Sequence, residues 1–426
     1  PFNGKGGIML LGRVSYWDPF FALAKLFIPL ANSVSQAPFI RSGAMAANYR
    51  FTPNVEWYAN GFIGSDGVGA AFEYENDAPR MKTISDMKFL WDNLQGFLTT
   101  GVVVNPTNAM VLKTSIGAGF LNSNIEAKMN NTITVRDKEG IDQEPIPVDN
   151  NITQDKINSN YQLRLDYDWD LGKGFLFAAG VQERFNIWNQ NMLTHLMQEF
   201  IDFSGSFQMK EINIDREMTN RGINSSAYSL VEYHNDDWRF DAELGLRVDH
   251  VYFIGENPDK SSFAIQTFPA FNPRLNLDFG LLEDVGIIET LSLTAGSGLF
   301  SAMNKDIQFM EGRKGIDDFE MKQDRAWTSV IGTKIDFVND ISFNIEGYYK
   351  YIFNRAYTTS NITTDVTEQM IINFDGQAYI VGFDLILQKY ESRYWDGWIS
   401  YSFNYARYKD PATTGQESSV GNFSEP

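Results

Sequence analysis

From Trp238 to Asp249 apolar and polar residues alternate without a break. Trp238, Phe240, Ala242, Leu244, Leu246 and Val248 fall on one side. Arg239, Asp241, Glu243, Gly245, Arg247 and Asp249 fall on the other. Side chains of a strand have period two, so this stretch is a strand with one apolar and one charged face. Two architectures satisfy that pattern. In a soluble sandwich the apolar face packs on a second sheet. In an outer-membrane barrel it meets lipid, and the charged face lines a wet lumen. A soluble β-rich enzyme or binding module therefore stands as the reading from another class.

The rest of the chain repeats the block about every ten to fourteen residues, giving about fifteen strands. They are expected near Ile8–Trp17, Arg41–Phe51, Val55–Gly64, Leu94–Val104, Met110–Leu121, Tyr161–Asp170, Phe175–Ile187, Ser226–His234, Trp238–Val251, Pro273–Phe279, Glu289–Ser301, Trp327–Phe337, Ile341–Tyr357, Gln377–Gln388 and Trp398–Tyr408. A short helix is admitted within Phe20–Ile28. Thr52-Pro53-Asn54, Asn105–Asn108, Leu171–Gly174, Asn235–Asp237 and Asn339-Asp340 carry turn chemistry, since Pro fixes φ and Asn and Gly accept left-handed conformations. Between these short turns the strands are joined by long polar stretches, expected to be loops around 65–90, 122–157, 188–221, 252–268, 303–320 and 357–374. Regular alternation of short turns and long loops is the habit of outer-membrane barrels, with the short turns periplasmic. Trp and Tyr gather at the strand ends, where interfacial girdles belong. Parity then puts every short turn at one end and every long loop at the other. Leu244, Leu246, Phe343, Ile345, Phe383 and Leu385 are expected to face lipid.

Composition narrows the function. Of 426 residues, none is Cys and the net charge is -19. Disulfides, thiol catalysis and Cys-based metal sites are excluded, and nucleic acid is disfavoured for want of a basic stripe. No apolar run is long enough for a membrane helix, so any crossing uses strands. His195, His234 and His250 are too scattered for a metal site or a triad. Asp166, Asp168 and Asp170 share one face, which a wet lumen wall explains more simply than a cation site. Gly64–Gly69 and Gly296-Ser297-Gly298 do not open helices and so are not phosphate cradles. No pair of carboxylates is marked as acid and base. The reading is of a chain with no catalytic residues, cofactor or metal, and not an enzyme. Arg13, Arg164, Arg184, Arg239, Arg247 and Arg274 fall on lumen-facing positions. They are candidates for docking a plug or lining a substrate path, or equally for balancing the inward carboxylates.

Several segments resemble the barrel of TonB-dependent outer-membrane receptors. Gly12-Arg13-Val14-Ser15-Tyr16 is similar to an early strand, and Ala47-Asn48-Tyr49-Arg50-Phe51-Thr52-Pro53-Asn54 to a strand-turn of that family. Asn272-Pro273-Arg274-Leu275-Asn276-Leu277 is followed at the family's spacing by Leu293-Thr294-Ala295-Gly296-Ser297-Gly298-Leu299-Phe300. Gln323-Asp324-Arg325-Ala326-Trp327 stands where the family has Pro-Glu-Arg and an aromatic. Glu346–Tyr351, Gly376–Gly382 and Trp398–Ser402 complete the series. Order and spacing over nearly the whole chain carry the resemblance. It implies an all-β, antiparallel transmembrane barrel, in which 1–426 is one partial barrel domain. About fifteen strands of a barrel of about twenty-two are expected, with a plug domain, the first strands and roughly the last five strands outside this stretch. It implies outer-membrane localisation and uptake of a scarce large solute, such as a ferric chelate, cobalamin, peptide or glycan. The implied partners are outer-membrane lipid, a TonB-type energy transducer acting through the plug, the large nutrient ligand and an accessory surface lipoprotein. Without a plug the same barrel reads as a passive porin or a structural, adhesive protein.

Overall fold

The computed structural model describes every residue except 1–3, 16, 25, 28–35, 79–80, 137–141, 143, 202–206, 257–261, 304–321, 363–367, 391–395, 410–416 and 420–426. It is an antiparallel meander of seventeen strands. They are β1 (Gly6–Val14), β2 (Gln36–Thr52), β3 (Val55–Ala78), β4 (Met81–Thr107), β5 (Met110–Val135), β6 (Ile146–Gly172), β7 (Phe175–Ile201), β8 (Phe207–Asn235) and β9 (Phe240–Glu256). After them come β10 (Ser262–Gln266), β11 (Ala270–Val285), β12 (Ile288–Ala302), β13 (Asp324–Phe337), β14 (Ile341–Ile362), β15 (Glu368–Lys389), β16 (Gly397–Lys409) and β17 (Glu417–Ser419). All fifteen expected strands are present. The two additional ones are β10, which pairs with the upper part of β9, and the three-residue β17. The one described helix, α1 (Asp18–Ala24), falls mostly inside the stretch where a short helix was admitted.

Each strand pairs with its chain neighbours, β10 and β11 sharing β9 as a partner in succession. The chain turns back at Pro53-Asn54, Asn108-Ala109, Lys173-Gly174, 236–239, Gly286-Ile287 and 338–340. Following the registers, all of these lie at one end of the sheet, as parity requires. Left-handed residues close several of these turns, among them Lys173 (φ 55°), Asn339 (φ 71°) and Asp340 (φ 60°). Among the described residues β1 pairs only with β2 and β17 only with β16, so the sheet is open between those edges.

The six long loops are a correction. The stretches 65–90, 122–157, 188–221 and 252–268 are mostly strand, as β3 and β4, β5 and β6, β7 and β8, and β9 and β10 continue. Backbone strand also covers much of 357–374, whereas 303–320 lies almost wholly outside the described residues. β8 runs 29 residues. A belt about 25 Å tall needs only about 9–11 tilted residues, so about two-thirds of such a strand projects beyond lipid. Sequence reasoning ended the strands where outward apolar alternation ended. The backbone ladder does not need that alternation, because a strand whose outer face is polar pairs equally well in water.

Outward facing is as expected. Register joins Leu244 to Leu275 and to Val231, and Leu246 to Ser229. Leu244 is 62% exposed, Ile116 58% and Leu163 53%, far above what a packed core allows. Phe343, Ile345, Phe383 and Leu385 share one face, through the pairs Ile345–Leu385 and Gly347–Phe383. Two rows of rings bound the apolar band. At the short-turn end Phe175, Tyr233, Phe240 and Phe279 follow one another across four strands, with ring centroids 4.5, 6.3 and 4.7 Å apart. Higher up, one register row carries Tyr161, Phe185, Ile223 and Tyr252, and Tyr161 stacks on Phe185 at 6.3 Å.

Candidate functional site

The opposite, concave face carries the chemistry. Its central feature is built from two strands that each place an Arg and an Asp at i and i+2, hence on the same side. On β6, Arg164 Nε donates to Asp166 Oδ2 at 2.7 Å. On β9, Arg247 Nε donates to Asp249 Oδ1 at 2.8 Å. Register puts Asp166, Gly180, Tyr228 and Arg247 in one row across β6–β9. Tyr228 reaches back across β7 and donates its hydroxyl to Asp166 at 2.6 Å. Gly180 makes this crossing feasible, because a Cβ there would lie 2.5 Å from the Tyr228 ring and 2.8 Å from Asp166 Oδ1. Tyr58 over Gly101 and Tyr348 over Gly382 repeat the arrangement on the same face.

Asp249 continues the network. Its Oδ2 accepts from Asn272 Nδ2 at 2.7 Å and from Ser301 Oγ at 3.1 Å. Gln323 donates to the Asp249 carbonyl at 3.1 Å and to Thr267 Oγ1 at 2.9 Å. Asn272 is 0% exposed at this joint between β9, β11, β12 and the approach to β13; its amide nitrogen is paired, whereas its Oδ1 is buried without a hydrogen-bond partner among the described residues. Above it Val251, Phe253 and Phe374 form a buried cluster, with Trp188, Phe263, Ile265 and Met303 against it. Phe374 belongs to β15, which is not a sheet neighbour of β9. β14 is left-handed at Asn354 (φ 56°) and irregular in register from Ile352 to Tyr357. A bulge there bends the upper β14–β15 pair inward over the lumen.

The six arginines share the inward face but not one site. Arg164 and Arg247 belong to the network just described. Arg184 lies one row above Arg164, level with Asn224 and Val251. Arg274 stacks its guanidinium over Phe300 at 4.4 Å. Arg13 stands on β1 opposite Ser42, near the open edge. Arg239 is not in a strand as expected: it closes the 236–239 turn at φ 48° and pairs with Glu283 at 2.5 Å. Its left-handed conformation is what the tight return from β8 to β9 demands. Sequence reasoning singled out neither Tyr228 nor Thr267, and it met Asn272 and Gln323 only within family-like segments and Ser301 only as a strand end, not as parts of a joint. The one visible signal was the repeated Arg-x-Asp on two strands, β6 and β9, which β7 and β8 separate. Beyond the upper ring row Arg136 binds both Asp77, at 2.6 Å, and Asp142, at 2.7 Å, tying strand tips together. Its hydrogen bond holds the Asp77 carboxyl below the ordinary value of 3.8. Among the described residues no three His, Asp or Glu side chains group as a metal site would require. The three histidines are separate, His234 sitting with Asp236 and Asp241 at a turn and His195 with Asn213.

An open antiparallel sheet, apolar outside between two ring rows and polar inside, matches a family model for the β-barrel of TonB-dependent receptor-like proteins over residues 17–423. The chain belongs to the TonB-dependent receptor β-barrel family. Members are outer-membrane β-barrels, and the family is one of receptors and transporters. No curated protein matches in sequence. Solved TonB-dependent barrels share the fold. One is described as the RagAB peptide transporter, at TM-score 0.51 and 10% identity, covering 91% of this chain and 52% of that one. Another is P. aeruginosa FpvA bound to heterologous pyoverdines, at TM-score 0.52 and 13% identity, covering 97% and 56%. A third is the copper transporter OprC, at TM-score 0.50 and 11% identity, covering 95% and 65%. This TonB-dependent receptor barrel therefore spans between half and two-thirds of the length of those chains.

Proposed function

We propose that this chain is the greater part of the barrel of an outer-membrane nutrient receptor, taking up a scarce, large solute through a plugged lumen with energy from a TonB-type transducer. The match over 17–423 carries the reading. Geometry supports it in two ways. The inner wall is wet and charged at the level of the lipid belt, as a solute path requires. The strands rise well beyond that belt, providing a vestibule that a simple pore does not need. Neighbours described as a peptide transporter, a pyoverdine-bound receptor and a copper transporter agree with uptake as the class of function and differ in solute. The short turns face the periplasm and the long arms face outside, where an accessory surface lipoprotein would sit. Arg13, Arg164, Arg184, Arg247 and Arg274 line the path, and Arg239 lies at its periplasmic mouth, where a plug would be held.

Energised uptake tests the reading. Cells carrying the full receptor as their sole route for a scarce nutrient are compared with and without the transducer. Growth that depends on both supports the proposal. Entry that persists without the transducer marks a passive porin instead.

A further inference from the structure

The face of the sheet that is apolar changes along the strands. At the level of the belt, β3 to β6 turn apolar residues outward, as in Ile63, Leu98, Ile116 and Leu163. Above about Gly67 on β3 and Asp155 on β6 the pattern inverts. There Glu73, Asp86, Lys88, Glu126 and Lys128 take the outer face. Phe72, Met87, Phe89, Trp91, Met129 and Ile152 take the inner one. A charged outer face places these arms in water. Their concave side is then an apolar surface in a wet vestibule.

At its margins that surface is covered. Ile133 (4% exposed) and Val148 (2%) are buried at the strand tips, and Phe253 (0%) is buried under the folded-in β15 strand. Between them Phe72 (43%), Phe89 (41%) and Ile152 (38%) are open. Below them on the same face one row carries Asp66 and Lys156 with Asn93 and Ser123, and beneath it stands a band of neutral amides, Gln95, Asn158, Asn160 and Asn186, interleaved with the Phe62–Phe97 ring pair at 5.9 Å.

We propose that this concave surface of β3–β6 is a ligand site, and that its ligand is a neutral oligopeptide with apolar side chains. The inference rests on the receptor reading and names the solute class. Side-chain amides both donate and accept, which is the complement of a peptide group. Met and Ile, together with Phe, adapt to apolar side chains of varied shape. Arg164 and Arg247 are already engaged by neighbouring carboxylates, the rows at Phe89 and Met129 carry no charge on β3–β6, and the charged row below them holds one anion and one cation, Asp66 and Lys156, so the surface offers an anionic chelate no net counter-charge. A neutral glycan would use the amides but gain little from thioether and aliphatic groups.

Calorimetry on the receptor in lipid nanodiscs, with no transducer present, decides it. The probes are a terminally blocked hexapeptide of Leu, Phe and Ser, blocked hexaserine, and maltohexaose. The apolar peptide is expected to bind at least tenfold more tightly than hexaserine, and maltohexaose not to bind. Phe89→Gln and Met129→Gln should each weaken the peptide at least tenfold. Glu126→Gln, with its side chain outside, should leave it unchanged. Heat-modifiable mobility checks that each variant is folded. Binding of maltohexaose in place of the peptide, equal binding of hexaserine, or folded variants that bind as wild type would overturn the inference. The wild-type comparison alone decides between the ligand classes if the variants do not fold. Because no energy source is used, this result is independent of whether uptake depends on the transducer.

Discussion

Replacing Leu246 by Arg measures directly what the outer face meets. Leu246 stands on β9 between the two rows of rings, the lower marked by Phe240 and the upper by Tyr252. A strand rises about 3.3 Å per residue and, tilted about 45°, gains about 2.3 Å of height per residue. The two rows are then about 28 Å apart, close to the thickness of a bilayer's hydrocarbon core, and Leu246 sits about midway. Arg at the midplane of a barrel's lipid face costs about 2–4 kcal/mol, falling to about 0–1 near the interfaces. Leu246→Arg should therefore destabilise the receptor by about 2–4 kcal/mol, and Leu244→Arg, about 5 Å lower, by somewhat less. Glu243→Arg, on the lumen side at nearly the height of Leu244, should cost under about 1 kcal/mol, because the charge stays in water. Urea titration of the receptor folded into phosphatidylcholine vesicles, followed by tryptophan emission, reads all three. Equal costs on the two faces would refute the assignment of lipid and lumen sides.

Other perturbations probe the remaining claims. Gly180→Val should force Tyr228 off Asp166 and destabilise by about 1–3 kcal/mol, and adding Tyr228→Ala should recover part of the loss; full additivity of the two changes would show that the glycine is not a notch for the ring. The chain has no cysteine, so single cysteines report sidedness cleanly. On intact cells a membrane-impermeant maleimide should label Lys128→Cys and spare Lys173→Cys, and the reverse would invert the orientation. Asp77 is held below 3.8 by Arg136, so the contribution of this pair is present above the ordinary carboxylate value and lost as pH falls through the lowered one. Limited proteolysis of the strand tips should thus be unchanged from pH 7 to pH 5 and rise only below about pH 4. Tips that loosen already near pH 6 would show that another group ties them.

Element existence was legible because alternation over Trp238–Val248 or Tyr161–Trp169 leaves no other regular structure that buries one face. Turn positions were legible for a local reason: Asn339 and Asp340 accept the left-handed backbone that the return from β13 to β14 imposes. Element length was not. Nothing within Glu211–Arg221 looks like a membrane strand, yet it is paired residue by residue with β7 on one side, and Arg221 meets β9 on the other. The cross-strand joints were equally hidden. Tyr228, Asp166 and Gly180 are distant in sequence, and only the register of three strands brings them into one row. Gln323 lies far from Asp249 and Thr267 in the chain, and no local rule connects them.

Alternation along a strand tells which residues share a face. It does not tell what medium the face meets, since lipid, water and a protein core all accept the same period. What identifies the medium is a change of phase. On β3 the apolar side passes from Ile63, outside, to Phe72, inside, and on β4 from Leu98 to Phe89. β5 passes from Ile116 to Met129, and on β6 Leu163 outside gives way to Ile152 inside. Four independent stretches of sequence change phase at rows that register places side by side, just above the Tyr161–Phe185 ring pair. A bulge would shift one strand, but β3, β4, β5 and β6 pair without interruption through these rows. The common cause is then outside the strands: lipid ends at that height and water begins. The same boundary that frees the outer face to be charged leaves the inner face as the only place where apolar side chains can be of use, and that is where Phe72, Phe89 and Ile152 stand.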